Sequence, residues 1–354
     1  MAELPVTLRD VARRSGVHPA TASRALNPAT RMLVSEETAG RVRSAAAALG
    51  YRPNTVARSL RTRRSHTIGV LIPDLTNPLF PPIVRGLEDR LAADGYVALI
   101  GNTDADDERE LMVFELMRAR HVDGFVLATA TTHNRVLEEA AQAGLLVVLV
   151  NRLSEEFSFP SVSVDNERGI RLAVGHLAGL GHRRIAHVAG PQDTSTGRER
   201  LRGFERALAD AGLTASPSLI THAAAFAIEE GYRCTRELLG ARAGAAGPAA
   251  PAAPVCTAIA AGNDMLAIGC YKALEEAGLR CPEDVSVIGF NDMPFIDRLR
   301  PPLSTIAFPH YQVGTEAAQL LLERLAGDER PVRSLHLAPE LVVRGSTAPP
   351  PPGG

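Results

Sequence analysis

The sequence predicts an α/β protein in two parts. An N-terminal three-helix domain with a helix-turn-helix and a hinge helix is followed by two doubly wound parallel-sheet subdomains. Three observations carry this. Val6–Asn27 reads as two short helices joined by a tight turn. Charge is split sharply along the chain. From Thr67 onward, short continuous apolar runs recur, most of them followed by helical patterning.

The first helix begins at Thr7, a good N-cap, with Asp10 three residues on to complete a capping box. Leu8, Val11 and Ala12 give it one apolar face. Gly16 stops it, because glycine adopts the left-handed conformation that ends helices. Pro19 opens the second helix at the position where a missing N–H costs nothing, and Ala22, Ala25 and Leu26 form its inner face. Such a pair either lays its second helix in a DNA major groove or only packs as a hairpin.

Charge favours the first alternative. The chain has 354 residues and a net charge of -2. Residues 1–66 hold 12 arginines and four carboxylates, +8, which leaves 26 basic and 36 acidic residues, -10, in the other 288. A basic head on an acidic body is suited to meeting a polyanion. With only one lysine, Lys272, in the chain, the arginine preference reflects compositional bias as much as selection for bidentate contacts.

Ser35-Glu36-Glu37-Thr38 opens a third helix. Ser35 caps it, the acidic pair suits its positive end, Val42, Ala45, Ala46 and Leu49 make its stripe, and Gly50 ends it. The next segment, Tyr51–Leu60, allows about two helical turns capped by Asn54. An isolated helix this short is marginal in water and orders only when held. Ala57 and Leu60 share a face, and an exposed leucine on a basic helix is a candidate minor-groove wedge; an ordinary linker helix is the plainer alternative.

In the body, Thr67–Ile72, Val97–Ile100, Gly124–Leu127, Leu146–Val150, Ser161–Val164, Ile185–Ala189, Ala258–Ala261, Val285–Gly289 and Ser304–Ala307 read as buried strands. Strand–helix alternation with continuous apolar strands argues parallel sheets covered on both faces, in more units than one sheet usually holds. Ligands in such folds bind beyond the strands' carboxyl ends, here in a cleft between subdomains. The residues just past those ends include Asp74 to Phe80, Asn151 and Arg152, Asp165, Thr194 to Arg200, Asn263 and Asp264, and Asn291 and Asp292. Carboxylates, amides and arginines over an aromatic such as Phe80 suit a polyhydroxylated ligand, whose hydroxyls both donate and accept. Asp264 reads first as a cap of the helix it precedes and only second as a ligand contact, and Asp292 allows the same reading; Asp104 and Asp106 read as loop or cap residues.

Several segments together resemble the LacI/GalR family of bacterial transcription regulators. They are TLRDVARRSGV, ATASRALN and GYRPNTVARSLRTRRSHTIGVLIPD, then NPLF, GNTD, RHVDGF, GPQDTSTGRERLRGF, AGNDMLAIG, PEDVSVIGFND and PPLSTI. The resemblance spans roughly residues 5–346 and implies a periplasmic-binding-protein-like body. It implies that Pro19, Ala20 and Arg24 read bases, that Thr21 and Ser23 anchor phosphates, and that Asn27, Asn54 and Arg58 contact the backbone. With Thr7, Ala57 and Leu60 these form the expected DNA-facing set. For the effector it implies Arg200 first, then Asp165, Phe80, Phe226 and Asn291, to which the strand-end reading adds Arg152 and Thr196. Asn291 departs from the Asp usual in sugar-binding members, keeping an acceptor but losing the charge.

The expected divisions are a DNA-binding domain at 1–50, hinge and linker at 51–66, an effector-binding and dimerisation body at 67–346 and a disordered tail at 347–354. Residues 240–254, rich in Ala, Gly and Pro, read as an expanded surface loop. Cys234, Cys256, Cys270 and Cys281 lack metal-ligand spacing, so neither a metal nor another cofactor is expected. With no signal peptide and no long apolar span, a cytoplasmic protein is expected. The sequence thus reads as a DNA-binding regulator, most simply a repressor: a homodimer on a palindromic operator, answering to a sugar-like effector, with no membrane partner and no catalytic residues. The rivals are a cytoplasmic solute-binding module that reads no DNA, a regulator answering to a purine or nucleoside, and an enzyme. No G-x-S-x-G, phosphate loop or metal set supports the last.

Overall fold

The computed structural model describes residues 6–27, 30–52, 64–240 and 255–352. It divides into two compact units, Met1–Ser65 and His66–Gly354.

In the first unit, α1 (Leu8–Ser15), α2 (Pro19–Leu26) and α3 (Glu36–Ala48) surround a core of Val11, Ala12, Ala22, Ala25, Ala39, Val42, Ala45 and Ala46. The Asp10 carboxylate accepts from the Thr7 amide at 3.0 Å and the Thr7 hydroxyl at 2.7 Å. Gly16 ends α1 at φ 67°. Pro19 occupies the first position of α2, and Ser35 caps α3 through the Thr38 amide. Alanine at six of the eight core positions brings the helices close while keeping the domain small.

The second unit contains two parallel sheets. The first has strand order β11-β5-β4-β3-β1-β2. Its members are β1 (Thr67–Ile72), β2 (Val97–Asn102), β3 (Gly124–Leu127), β4 (Val147–Val150), β5 (Ser161–Val164) and β11 (Ser334–Leu337). The second, in order β7-β6-β8-β9, contains β6 (Ile185–Ala189), β7 (Ile220–His222), β8 (Ala258–Ala261) and β9 (Ser286–Ile288). β10 (Thr305–Ala307) and β12 (Glu340–Val342) pair antiparallel. The helices are α4 (Phe80–Ala93), α5 (Asp107–Ala119), α6 (Arg135–Gln142), α7 (Asn166–Gly179), α8 (Ser195–Asp210), α9 (Ile228–Gly240), α10 (Asp264–Glu276) and α11 (His310–Leu325).

The chain passes from the first lobe to the second through α7. It returns through β10 to α11, whose buried face shares one core with β1, β3, β4 and α4. It passes back once more after β12. Gly86 and Gly314 set the α4–α11 contact: a Cβ on Gly86 would lie 2.0 Å from the Tyr311 carbonyl, and one on Gly314 would lie 1.9 Å from that of Ile83.

Two expectations need correction. Strands β7, β11 and β12 escaped the sequence reading, because they are short and partly exposed and lack a continuous apolar run. The residues expected as a disordered tail from 347 are held instead. His176 Nε2 lies 2.9 Å from Thr347 Oγ1 and His182 Nε2 lies 2.9 Å from the Ala348 carbonyl, while the Ala348 amide donates to Ser286 Oγ at 3.0 Å. A proline-rich segment has few donors of its own, and here its carbonyls and flanking hydroxyls are met by side chains of the second lobe. The loop at 241–254 lies outside the described residues.

Candidate functional site

A cavity of about 880 Å³ lies between the two lobes. Its walls come from the segments after β1, β2, β3, β4, β6, β7, β8 and β9, at the strands' carboxyl ends, as parallel α/β sheets dictate. Phe80, Arg152, Thr196, Arg200, Phe226 and Asn291 all line it.

Arg200, on the first turns of α8, is only 2% exposed. Its Nε donates to Asn166 Oδ1 at 2.9 Å and its Nη1 to the Gly262 carbonyl at 2.6 Å. Its guanidinium lies 3.7 Å from the centre of the Phe290 ring and 5.8 Å from that of Phe226. Burial pushes it down to about 9, opposed by Glu199 and Asp264, so it is a cation at neutral pH. Gly190 makes room for Phe226, since a Cβ there would meet the ring at 2.3 Å.

Asp165 is a correction. It does not line the cavity; its carboxylate caps α7, accepting from the Arg168 amide at 2.9 Å. The next residue, Asn166, does not line the cavity either, but its side chain is buried against Arg200. Besides holding Arg200, it donates to Glu199 Oε2 at 2.7 Å. A carboxylate after a strand serves a helix cap as readily as a ligand, and here the cap takes it. Asp264 is completely buried and accepts from the Met293 amide at 2.9 Å and from the Thr305 hydroxyl at 2.6 Å, while its neighbour Asn263 caps α10. Asp292 pairs with Arg344 at 2.7 Å. Asp106 caps α5, and Asp104 pairs with Arg109.

Glu110 escaped the sequence reading. In the run DDERE it looks like one more solvated charge. Yet it shares a helical face with Phe114 and Met117, and all three are buried, a phase that could have marked it. It is 5% exposed, lines the cavity, and accepts from the Thr129 hydroxyl and from Asn134 Nδ2 at 3.2 Å. Burial pushes its carboxyl up to about 7. Burial likewise lowers the Arg152 guanidinium, against the pull of Asp193 and Glu110.

The cavity wall is rich in unmet polar groups. Of eight buried side-chain polar atoms without a partner among the described residues, four belong to cavity residues: Thr103 Oγ1, Asn151 Oδ1, Arg152 Nε and Asn291 Oδ1. Asn151 and Asn291 also have positive φ, 63° and 123°. Backbone strain and unmet buried polar groups are both features that mark ligand sites.

A second set of bonds ties the lobes beside the cavity. The Thr132 amide and hydroxyl both donate to the Asp193 carbonyl, at 2.7 and 2.9 Å. Arg198 reaches Thr132 Oγ1 at 2.6 Å and Glu155 Oε1 at 2.9 Å, and the Leu153 amide donates to Ser195 Oγ at 2.8 Å.

In the helix-turn-helix unit, Thr7, Ala20 and Arg24 are exposed, and Pro19, Thr21, Ser23 and Asn27 are half-buried. The start of α2 is therefore accessible along its outer side. Asn54, Ala57, Arg58 and Leu60 lie outside the described residues. Among the described residues no group of side chains could hold a metal ion, and no helix is long and apolar enough to cross a membrane. Cys234, Cys256, Cys270 and Cys281 form no disulfide.

A helix-turn-helix unit with an accessible second helix, on one chain with a two-lobed unit enclosing a polar cavity, defines a DNA-binding transcriptional regulator with a small-molecule domain. Comparisons agree. Residues 7–54 match the lacI family of bacterial regulatory proteins, and residues 174–347 match a periplasmic binding protein-like domain. The chain is 34% identical over 347 residues to the HTH-type transcriptional repressor CytR of Escherichia coli K12, covering 98% of this chain and 97% of the relative. It is similar to the lac repressor dimer bound to operator and the anti-inducer ONPF, with 29% identity, 98% and 100% coverage and a TM-score of 0.82. It is also similar to the transcriptional regulator CelR–cellobiose complex, with 30% identity, 96% and 99% coverage and a TM-score of 0.73. The chain belongs to the LacI family of bacterial transcription regulators.

Proposed function

We propose that this regulator is a repressor that acts in the cytoplasm as a homodimer on a palindromic operator, and that a sugar or sugar derivative in the interlobe cavity changes its operator affinity. The observation that carries this reading is the cavity wall, where Thr103, Asn151, Arg152 and Asn291 offer buried, unpartnered polar atoms on the same chain as the helix-turn-helix. Cellobiose in the CelR complex supports a sugar, and the operator-bound lac repressor dimer supports two-fold reading of DNA.

Pro19 and Ala20 lack side-chain donors and meet bases by apolar contact, such as with a thymine methyl. Arg24 supplies the hydrogen-bonding base contact. Thr7, Thr21, Ser23 and Asn27 hold the backbone. Asn54 and Arg58 add backbone contacts from the hinge, where Ala57 and Leu60 press on the central minor groove. Effector binding alters the angle between lobes and so the hinge spacing. Its effect is limited to its differential affinity for the two forms.

A second reading, a purine or nucleoside effector, is favoured by the Phe226 ring beside Arg200 in the cavity wall. Genome-wide chromatin pull-down with motif extraction tests the first reading. A symmetric motif beside a sugar-uptake operon is expected, and enrichment without symmetry would refute dimeric operator reading. A motif beside nucleoside-uptake genes would favour the second reading.

A further inference from the structure

We propose that His18, immediately before α2, is a specificity-determining residue whose imidazole donates to the N7 of a guanine in the operator's major groove. It supplies a hydrogen-bonded base contact where Pro19 and Ala20 have none to offer. The inference deepens the DNA-binding reading above and rests on α2 lying in the major groove.

The ring's own bonds fix what it can do. His18 is the N-cap of α2, with extended backbone at φ -67° and ψ 145°. Its carbonyl accepts from the Thr21 amide at 2.9 Å and the Ala22 amide at 3.1 Å, and its Nδ1 accepts from the Ala20 amide at 3.2 Å. A ring nitrogen that accepts an N–H carries no proton itself, so the neutral imidazole holds its proton on Nε2. The cap thus holds the ring over the first turn of the helix and leaves Nε2 as a donor. His18 is exposed, and among the described residues no other group bonds the ring.

The neighbours leave this donor its task. A recognition helix reads base edges from its N-terminal residues. Pro19 and Ala20 have no polar side-chain atom, Pro19 has no N–H, and the amides of Ala20 and Thr21 are both spent on His18. The next side chain able to bond is Thr21, which is half-buried. Arg24 lies more than a turn further along the helix, so the two residues read different base pairs. With Nδ1 occupied, the imidazole can only give a proton. Guanine meets it with two adjacent acceptors, N7 and O6. Adenine offers N7 but sets its N6 amino donors beside it, thymine crowds O4 with a methyl group, and cytosine presents only a donor. A donor-only ring therefore selects guanine and rejects cytosine.

The test is selection of binding sites from randomised duplexes by the full-length protein, for the parent and for His18→Ser. Serine is among the best N-cap residues, so the variant keeps the cap, while its short hydroxyl is spent on the helix. The parent is expected to select a guanine that His18→Ser selects about three- to tenfold less, the size of one hydrogen bond, with preferences elsewhere unchanged. Replacing that guanine by 7-deazaguanine, which lacks N7, is expected to weaken the parent by a similar factor and His18→Ser not at all. A loss equal over all sequences would mean that the imidazole touches only phosphate, and unchanged binding that it touches nothing. Either result would overturn the proposal and leave the regulator reading standing, whereas a parent that selects no motif would overturn that reading as well. The 7-deazaguanine measurement is made on the parent, so it holds even where His18→Ser folds poorly: undiminished binding at every selected guanine would overturn the proposal.

Discussion

Replacing Glu110 by glutamine should change how the effector unit's stability depends on pH, in a direction fixed by linkage. The native carboxyl is pushed from 4.5 up to about 7 by burial, so between those values the folded protein binds a proton that the unfolded chain has released. Stability from this group is therefore fully present below about pH 4.5 and is lost as pH rises through about pH 7. A shift of this size corresponds to about 3 kcal/mol, and at 5% exposure little solvent screening reduces it. Glutamine keeps an acceptor for Thr129 and Asn134 but cannot ionise.

The raw profile would hide the effect. Asp264, pushed up to about 6, acts in the same direction over a lower window, while His187, pushed down to about 4 by burial, acts in the opposite one. Both are common to the two proteins and cancel in the difference. The assay is urea unfolding of each protein across this range, read on the transition of the effector unit. The stability of Glu110→Gln relative to the parent should rise by about 3 kcal/mol from pH 4.5 to above pH 7. A difference that stays flat would show that Glu110 is ionised in the fold at little cost, and would refute the reasoning.

Gly86→Ala should destabilise the effector unit by roughly 1–3 kcal/mol, because the new Cβ would stand 2.0 Å from the Tyr311 carbonyl; an unchanged urea midpoint would refute close α4–α11 packing. Arg24→Ala should cost roughly 1–3 kcal/mol of discrimination at one operator position, read by competition between operator variants; a uniform loss over all variants would mean that Arg24 only touches phosphate. Arg198→Ala removes the bonds to Thr132 and Glu155, and hydrogen exchange at the Thr132 and Leu153 amides should quicken; unchanged exchange would show that Arg198 does not hold the lobes together.

The helix-turn-helix was legible almost residue by residue because its punctuation is local: the Thr7–Asp10 pair, Gly16, Pro19 and Ser35 each act within one turn. The body's strands were legible where apolar runs are continuous. What escaped depends on contacts distant in sequence. Asp165 and Asn166 are adjacent polar residues after one strand, and only the position of Arg200, 34 residues on, decides that the second is the one buried. Glu110 is buried because Thr129 and Asn134 reach it from beyond β3. The tail is held because Ser286, His176 and His182 present partners to a segment whose composition reads as unstructured.

Arg200 also explains how a ligand could act beyond the cavity. Its side chain joins three parts of the unit: the cavity wall, the Gly262 carbonyl after β8, and Asn166 at the first turn of α7, the segment through which the chain passes between lobes. Asn166 passes the connection to Glu199, which lies beside Arg200 on α8. On the proposed reading, an effector that draws on Arg200 would load a crossing segment within one hydrogen bond. Because the chain crosses between the lobes three times, the lobes are restrained from parting freely, and the motion left to them is a change of angle. The Thr132–Asp193 and Arg198–Glu155 bonds lie beside the same cavity. Opening the cleft must break them, and closing it on a ligand must remake them. If an effector distinguishes two lobe angles, as proposed above, these bonds and the geometry around Arg200 are where its differential affinity would arise.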